Sequence, residues 1–376
     1  MGNTNLKQAK KNKNDEFYKQ LCDIEEELRH YKDFFKGKVV LCNCDDPRVS
    51  NFFNYFSYNF EYLGLKKLIT TCYKNQDMDL FSQNKSEQAV YLEYTGEKNG
   101  GLVPTAEAIG IKQLQGDGDF RSDECVALLK QADIVVTNPP FSLFREYVAQ
   151  RVEYNKKFII IGKMNALTYK EIFKLIKENK MWSGFNFNKS MIFKTNYTNN
   201  VDSNRKYVQS KGYNPDENYI ATPAVCWFSN MEITKRHEKL DLYKKYTPEE
   251  YPKYDNYDAI NVDKVSDIPI DYDGVMGVPI TFLDKYNPDQ FEIIGLLNSS
   301  DTELAGIPAT REYNDFKEIR QDGTFTKATG RKTKGNPVLA GKSLKGNYYI
   351  NPNTKECVYS TYARILIKKK GSTNEN

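Results

Sequence analysis

The sequence predicts an α/β protein: a parallel sheet covered by helices on both faces, followed by a C-terminal region of different character. Three observations predict it. Between residue 38 and about residue 230, short continuous apolar runs alternate with helical patterns, the signature of strands buried on both faces and crossed over by helices. The chain has 376 residues, more than one core usually organises. After residue 230 the texture changes, with Tyr243, Tyr246, Tyr251, Tyr254 and Tyr257 set among lysines and acids. A boundary is therefore expected near 235, giving regions 1–235 and 236–376.

The elements follow in order. Lys7, Lys10, Lys11 and Lys13 precede the first acid, Asp15, and read as a solvated tail. Phe17, Leu21, Ile24, Leu28, Tyr31 and Phe35 are spaced four, three, four, three, four, one face of an amphipathic helix that Gly37 ends. "KVVLC" at 38–42 is a strand, "NCDDP" a turn, and "VSNFFNYFSYNFEYLG" a helix closed at Gly64. "LKKLITTCY" is a second strand. Residues 74–110 form an irregular insertion holding one strand, "AVYLEY". "IKQLQGDGDF" is a strand running into a turn, "RSDECVALLKQA" a helix, and "DIVVT" the fourth strand. Phe141, Phe144, Val148 and Val152 mark the next helical face. "KFIIIG", "MWSGFNF" and "AVCWFS" are further strands, with "TYKEIFKLIKENK" a helix between the first two.

Composition excludes several classes. The chain is 39% hydrophobic and 28% charged, as expected of a globular protein, and no apolar run approaches membrane-spanning length. "MGNTNLKQAKKNKNDEFY" has no apolar core, so no signal peptide is expected, and Leu6 stands where myristoylation would want Ser or Thr. Seven scattered cysteines read as reduced thiols in a cytoplasmic protein. Cys42 and Cys44 lie close, but His30 and His237 have no zinc-site spacing, so no metal is expected. The net charge of +4 permits a nucleic-acid partner without arguing for one.

In a parallel sheet the ligand sits beyond the carboxyl ends of the strands. Three chemically loaded turns fall there: "NCDDP", "GDGDF" and "NPPF". Each alone is ordinary turn chemistry; three on one edge point to a site. Asn138, Pro139, Pro140 and Phe141 suit a substrate amine such as N6 of adenine, whose lone pair is delocalised into the ring. The Asn138 side-chain oxygen and the Pro139 carbonyl can accept both N–H bonds and draw the nitrogen toward tetrahedral geometry. The prolines hold that carbonyl still, and Phe141 offers a face for an extruded base. A carboxamide nitrogen poses the same electronic problem, so RNA adenine and protein glutamine remain alternative substrates. So does a catalytically silent DNA-binding module.

"KKNKNDEFYKQ", "VVLCNCDDPRVSNFF", "GDGDFRS", "DIVVTNPPFSLF", "YPKYDNYDAINV", "DYDGVMGVPITFLDKYNP" and "ARILIK", in that order, resemble the EcoRI-type DNA adenine-N6 methyltransferases. The resemblance covers most of 7–297 and resumes near 362. It implies a Rossmann-like, S-adenosylmethionine-dependent methyltransferase domain over 1–235 and a target-recognition, DNA-binding region over 236–376. By resemblance, Phe17 and Tyr18 close over the cofactor, Asp45 and Asp46 meet the methionine ammonium, Asp119 bonds the cofactor adenine, and Phe120 packs on it. Asn138, Pro139 and Phe141 would bind the target adenine. Double-stranded DNA is the implied partner, with a restriction endonuclease of the same site as the companion activity and a monomer as the working unit. The sequence departs from the wider methyltransferase pattern twice: Asn43, Cys44 and Asp45 replace the usual Gly-x-Gly, and no acid ends the second strand to hold a ribose. Outside the matched motifs, residues 326–346 hold six cations and no acid. Arg331, Lys332 and Lys334 are the expected phosphate contacts there, a solvated loop being the alternative.

Overall fold

The structure is a computed structural model that describes residues 18–19, 21–74, 88–98, 103, 105–194, 201–222, 224–298, 302–344 and 346–371. The described chain divides into two compact units. One holds the residues up to Ala166 together with Met181–Ile233; the other holds Leu167–Lys180 together with the chain from Thr234 onward.

In chain order the first 230 residues form β1 (Tyr18–Lys19), α1 (Leu21–Leu28), β2 (Val39–Asn43), α2 (Asn51–Tyr58), β3 (Lys67–Cys72), β4 (Val90–Tyr94) and β5 (Lys112–Gln113). There follow α3 (Asp123–Gln131), β6 (Ile134–Thr137), α4 (Phe144–Glu153), β7 (Lys157–Lys163), α5 (Lys170–Lys177) and β8 (Trp182–Ser183), then β9 (Met191–Lys194), α6 (Asp202–Ser210), β10 (Tyr219–Thr222) and β11 (Val225–Ser229). Eight strands build the main sheet in the order β5-β4-β3-β2-β6-β7-β11-β8. Its four central strands, β3, β2, β6 and β7, run parallel. The flanks do not: β4 is antiparallel to β3 and β11 to β7. The expected all-parallel sheet is thus a mixed one. For β4 the reason is that it returns within the insertion without a helical crossover, and parallel neighbours need a crossover. From β2 the chain moves outward to β3, and from β6 it moves the other way to β7, so the order reverses between β2 and β6. That reversal opens a crevice at their carboxyl ends.

The apolar spacing of the first helix is realised by α1 and the 3₁₀ turns after it, where Ile24, Leu28, Tyr31 and Phe35 are each fully buried. Gly64 ends the second helical segment in the left-handed region, at φ 62°. The helix after NPPF turns differently from its sequence pattern. Phe141–Leu143 is a separate 3₁₀ turn, and α4 then buries Phe144, Tyr147, Val148 and Arg151 while Val152 is exposed. Phe144 and Val148 are buried as expected, and Tyr147 and Arg151 turn inward in place of Val152. α5 also departs from expectation, since it groups with the second unit: Lys177 Nζ donates to the Ile294 carbonyl at 2.6 Å. A small sheet, β1-β9-β10, is antiparallel throughout and was not visible in the sequence.

The second unit contains β12 (Ile260–Asn261), β13 (Met276–Pro279), β14 (Phe291–Leu297), β15 (Lys317–Ile319), β16 (Phe325–Thr329), β17 (Val338–Ala340), β18 (Tyr348–Ile350), β19 (Cys357–Ser360) and β20 (Arg364–Lys369). They form two sheets, β12-β13-β20-β14 and β16-β15-β18-β19-β17. The tyrosine-rich stretch is mostly interior: Tyr251, Tyr254 and Tyr257 are buried, and only Tyr243 among these four is well exposed. Among the described residues no helix is long and apolar enough to cross a membrane.

Candidate active site

The crevice at the carboxyl ends of β2 and β6 gathers the three turns. β2 ends at Asn43, and Cys44 follows with φ 87°, a left-handed conformation that side chains rarely adopt and glycine adopts freely. The backbone therefore makes at Cys44 the bend for which a glycine would be usual, steadied by its N–H on the Thr71 carbonyl at 3.1 Å. Burial and the nearby Asp45 charge push the Cys44 thiol well above its ordinary range.

Asp45 is half-buried and Asp46 buried. Arg48 holds Asp46 completely: its backbone N–H and Nε donate to Oδ1 at 3.0 and 2.9 Å, and Nε and its terminal nitrogen donate to Oδ2 at 3.1 and 2.6 Å. Three N–H groups of Arg48 thus occupy Asp46, with Nε shared between its two oxygens. The clamp shapes the turn, and Asp45 stands half-buried beside it. The same device recurs two turns away. Arg121 donates its backbone N–H and Nε to Asp119 Oδ1 at 2.9 and 3.0 Å, and its terminal nitrogen to Oδ2 at 2.8 Å. Here Oδ2 keeps room for one more donor. Both clamps raise the arginine pKa, mainly through the hydrogen bonds themselves. The Asp-x-Arg spacing, "DPR" and "DFR", was the signal in the sequence that could have revealed them.

The GDGDF turn is packed hard against β3. Gly118 has φ 79°, and a Cβ there would lie 2.7 Å from the Cys72 carbonyl oxygen; Lys74 N–H donates to the Asp117 carbonyl at 2.8 Å. Phe120 is buried, edge-on to Tyr147 with ring centroids 5.1 Å apart, and its carbonyl accepts from Gln150 Nε2 at 3.0 Å. Tyr147 in turn donates to Asn43 Oδ1, and the hydroxyl of Thr137, next to Asn138, donates to the Asn43 carbonyl. These bonds tie the β2 turn, the GDGDF turn and the NPPF turn into one buried assembly. Arg151, 1% exposed, lies with its guanidinium 3.7 Å from the Tyr147 ring centroid.

Asn138 is buried at the end of β6, and Pro140 enters the 3₁₀ turn with φ −57°, the value its ring imposes. Phe141 is also buried, within the main apolar cluster, and Lys163 at the end of β7 sits 5.2 Å from its ring centroid. Neither Lys163 nor Tyr147 was singled out from the sequence, because nothing local marks a residue that only sheet order brings near. Of the remaining candidates, Phe17 lies outside the described residues. Tyr18 lies in β1, paired with Lys194. Arg331, Lys332 and Lys334 are exposed in the second unit, away in sequence from the three turns.

The chain is similar to three known methyltransferases. The type II methyltransferase M.EcoRI of Escherichia coli is 52% identical over 314 residues, 82% of this chain and 94% of the relative. M.MpnI of Mycoplasma pneumoniae is 41% identical over 83% of this chain and 93% of its own length. M.MgeORF184P of Mycoplasma genitalium is 38% identical over 83% and 91%. No solved structure matches the chain. The profile of the family described as adenine-specific methyltransferase EcoRI matches residues 5–370, and the chain belongs to that family.

Proposed function

We propose that this site-specific DNA adenine methyltransferase takes its methyl group from S-adenosylmethionine and places it on N6 of an adenine extruded from double-stranded DNA. The observation that carries the reading is the convergence of three turns at the switch point of the sheet, joined through Asn43, Thr137 and Tyr147. The donor set fits the cofactor. Asp45, half-buried beside a left-handed bend, suits an ammonium, and the remaining capacity of Asp119 Oδ2 suits an exocyclic amine. When bound, S-adenosylmethionine supplies an electrophilic methyl group.

The chain does the rest. Asn138 Oδ1 and the Pro139 carbonyl accept the two N–H bonds of the target amine. They stabilise the positive charge that grows on nitrogen as it attacks, and fixed dipoles do this with little reorganisation. Neither group needs to remove a proton first. Phe141 presents an aromatic face to the extruded ring, and Phe120 packs beside the cofactor pocket. As the family resemblance implies, Phe17 and Tyr18 close over the cofactor. In the Rossmann-like arrangement this implies, the second unit is the target-recognition region, and Arg331, Lys332 and Lys334 meet DNA phosphates. One chain carries both halves of the site, so a monomer suffices. N6 lies in the major groove, where its methylation would block an endonuclease reading the same sequence.

The test is sequencing for N6-methyladenine in DNA from cells expressing the wild-type chain and Asn138→Ala. One recurring methylated sequence in the wild type, lost in the variant, is expected. Transfer of labelled methyl groups to RNA or protein in place of DNA would overturn the reading.

A further inference from the structure

The second unit holds a separate sheet set between two paired strands. β14 and β20 pair antiparallel, and Leu297, the last residue of β14, is the register partner of Arg364, the first of β20. The chain leaves and re-enters this hairpin at one point, and everything between is a separate five-stranded sheet, β15 to β19. That sheet has its own apolar cluster of Tyr313, Phe316, Val338, Tyr349 and Val358. Each of the three relatives is matched over more than nine-tenths of its length by only 82–83% of this chain. A domain added at a hairpin tip leaves the host strands paired, which is why such insertions are tolerated.

The inserted sheet is held firmly. Asp255 accepts from Arg311 at 2.9 Å and from the Tyr313 hydroxyl at 2.6 Å. Asn256 bonds the backbone of Asn336 and Val338, at 2.9 Å each. Its charge is lopsided in how it is used. Glu356 is taken by Arg311, Glu318 by Thr326 and Asn347, and Asp322 by Thr324. Lys327 on the edge strand β16, and Arg331, Lys332 and Lys334 just beyond it, are exposed and make no ion pair among the described residues. An edge strand running into a turn with four free cations in eight residues complements a polyanion, and DNA is the polyanion this enzyme handles.

We propose that this inserted sheet is an accessory clamp on the phosphates of duplex DNA flanking the methylated sequence. It lengthens the footprint and raises affinity without choosing the sequence. The inference rests on the DNA substrate proposed above. Phosphate contacts carry no sequence information, and each one contributes about 0.9 to the slope of log affinity against log salt.

Two variants test it. One replaces 298–363 with a short glycine-containing turn between Leu297 and Arg364. The other is Lys327→Ala with Arg331→Ala, Lys332→Ala and Lys334→Ala, all at exposed positions, and it decides alone if the deletion fails to fold by circular dichroism. Each is compared with wild type by salt titration on cognate and random duplexes, by nuclease footprinting, and by mapping of methylated positions. The expected result is a salt slope flatter by up to about 3.6 for the fourfold variant, equal loss on both duplexes, a shorter footprint, and an unchanged methylated sequence. An unchanged slope and footprint would overturn the clamp, and so would a changed methylated sequence, which would make the sheet a reader of bases. If wild type itself neither binds nor methylates DNA, the functional reading fails instead.

Discussion

At Asn138 the chain leaves a buried strand and must present a carboxamide without solvent to satisfy it. Asn138→Ala should cut turnover by roughly 10²- to 10³-fold, the cost of one positioned electrostatic group, while calorimetric cofactor affinity holds. Near-normal turnover would remove Asn138 from the chemistry. Phe141 is buried in the apolar cluster as well as flanked by Lys163, so Phe141→Ala needs two readouts. A loss of about 1–3 kcal/mol in capture of a fluorescent base analogue at the target position marks a stacking role; a fall in stability with capture intact marks a core residue only. Asp119→Ala removes the partner of Arg121 as well as a cofactor acceptor. It should weaken cofactor binding by about 0.5–1.5 kcal/mol or more, with Arg121→Gln, which leaves the carboxylate, weakening it less. Equal affinities in wild type and Asp119→Ala would move the adenine subsite elsewhere. Cys44 sits at φ 87°. Cys44→Gly relieves that strain while loosening the unfolded chain, so stability should stay within about 1 kcal/mol; Cys44→Val should destabilise the fold, since a branched side chain suits a left-handed bend least.

Among the elements, α1 shows how much a helix face can hide. Its apolar spacing was legible, because a 3.6-residue period needs only sequence. Glu27 on the same helix was not. It is fully buried, and its carboxylate accepts from Tyr31 Oη at 3.0 Å, the backbone N–H groups of Phe185 and Asn186 at 2.7 and 2.9 Å, and Asn186 Nδ2 at 3.1 Å. The partners at 185 and 186 are far away in sequence, so no local pattern could announce them. Glu27→Ala would leave several buried donors unsatisfied and should cost at least about 3 kcal/mol in urea unfolding. A midpoint unchanged from wild type would show that water replaces the carboxylate. The face of α4 was legible at Phe144 and Val148 but not at its last turn, where Arg151 and not Val152 is buried.

For the molecule as a whole, burial sets a pH limit. Tyr31 and Tyr147 in the first unit and Tyr254 in the second all have hydroxyls raised above their ordinary range, burial being the largest cause in each. Ionisation is easier for all three in the unfolded chain, near pH 10. The stability they reflect is therefore fully present below that pH and is lost as pH rises above it. An absorbance titration of the phenolates should find these tyrosines ionising together with the loss of circular dichroism; ionisation well before unfolding would contradict their burial. Hydrogen exchange offers a second whole-chain test. Adding S-adenosylhomocysteine should slow exchange around 43–46 and 117–120 while leaving the strands of the second unit as they were. Protection confined to the second unit would place the cofactor there.

By itself the sequence determined the alternation of strands and helices over the first 230 residues, the three turns, and the chemistry of NPPF, because each depends on neighbours within a few positions. Tertiary structure alone decided which strands are antiparallel, that α5 belongs with the second unit, and that 298–361 is a separate sheet set into the β14–β20 hairpin. It alone decided that the recurring tyrosines at 251, 254 and 257 are core, and that Arg48 clamps Asp46 as Arg121 clamps Asp119. The physical reason is common to all of these. Strand direction, burial and hydrogen-bond saturation depend on which distant segments pack together, and the nonlocal pairings that decide them leave little trace in the local order of residues.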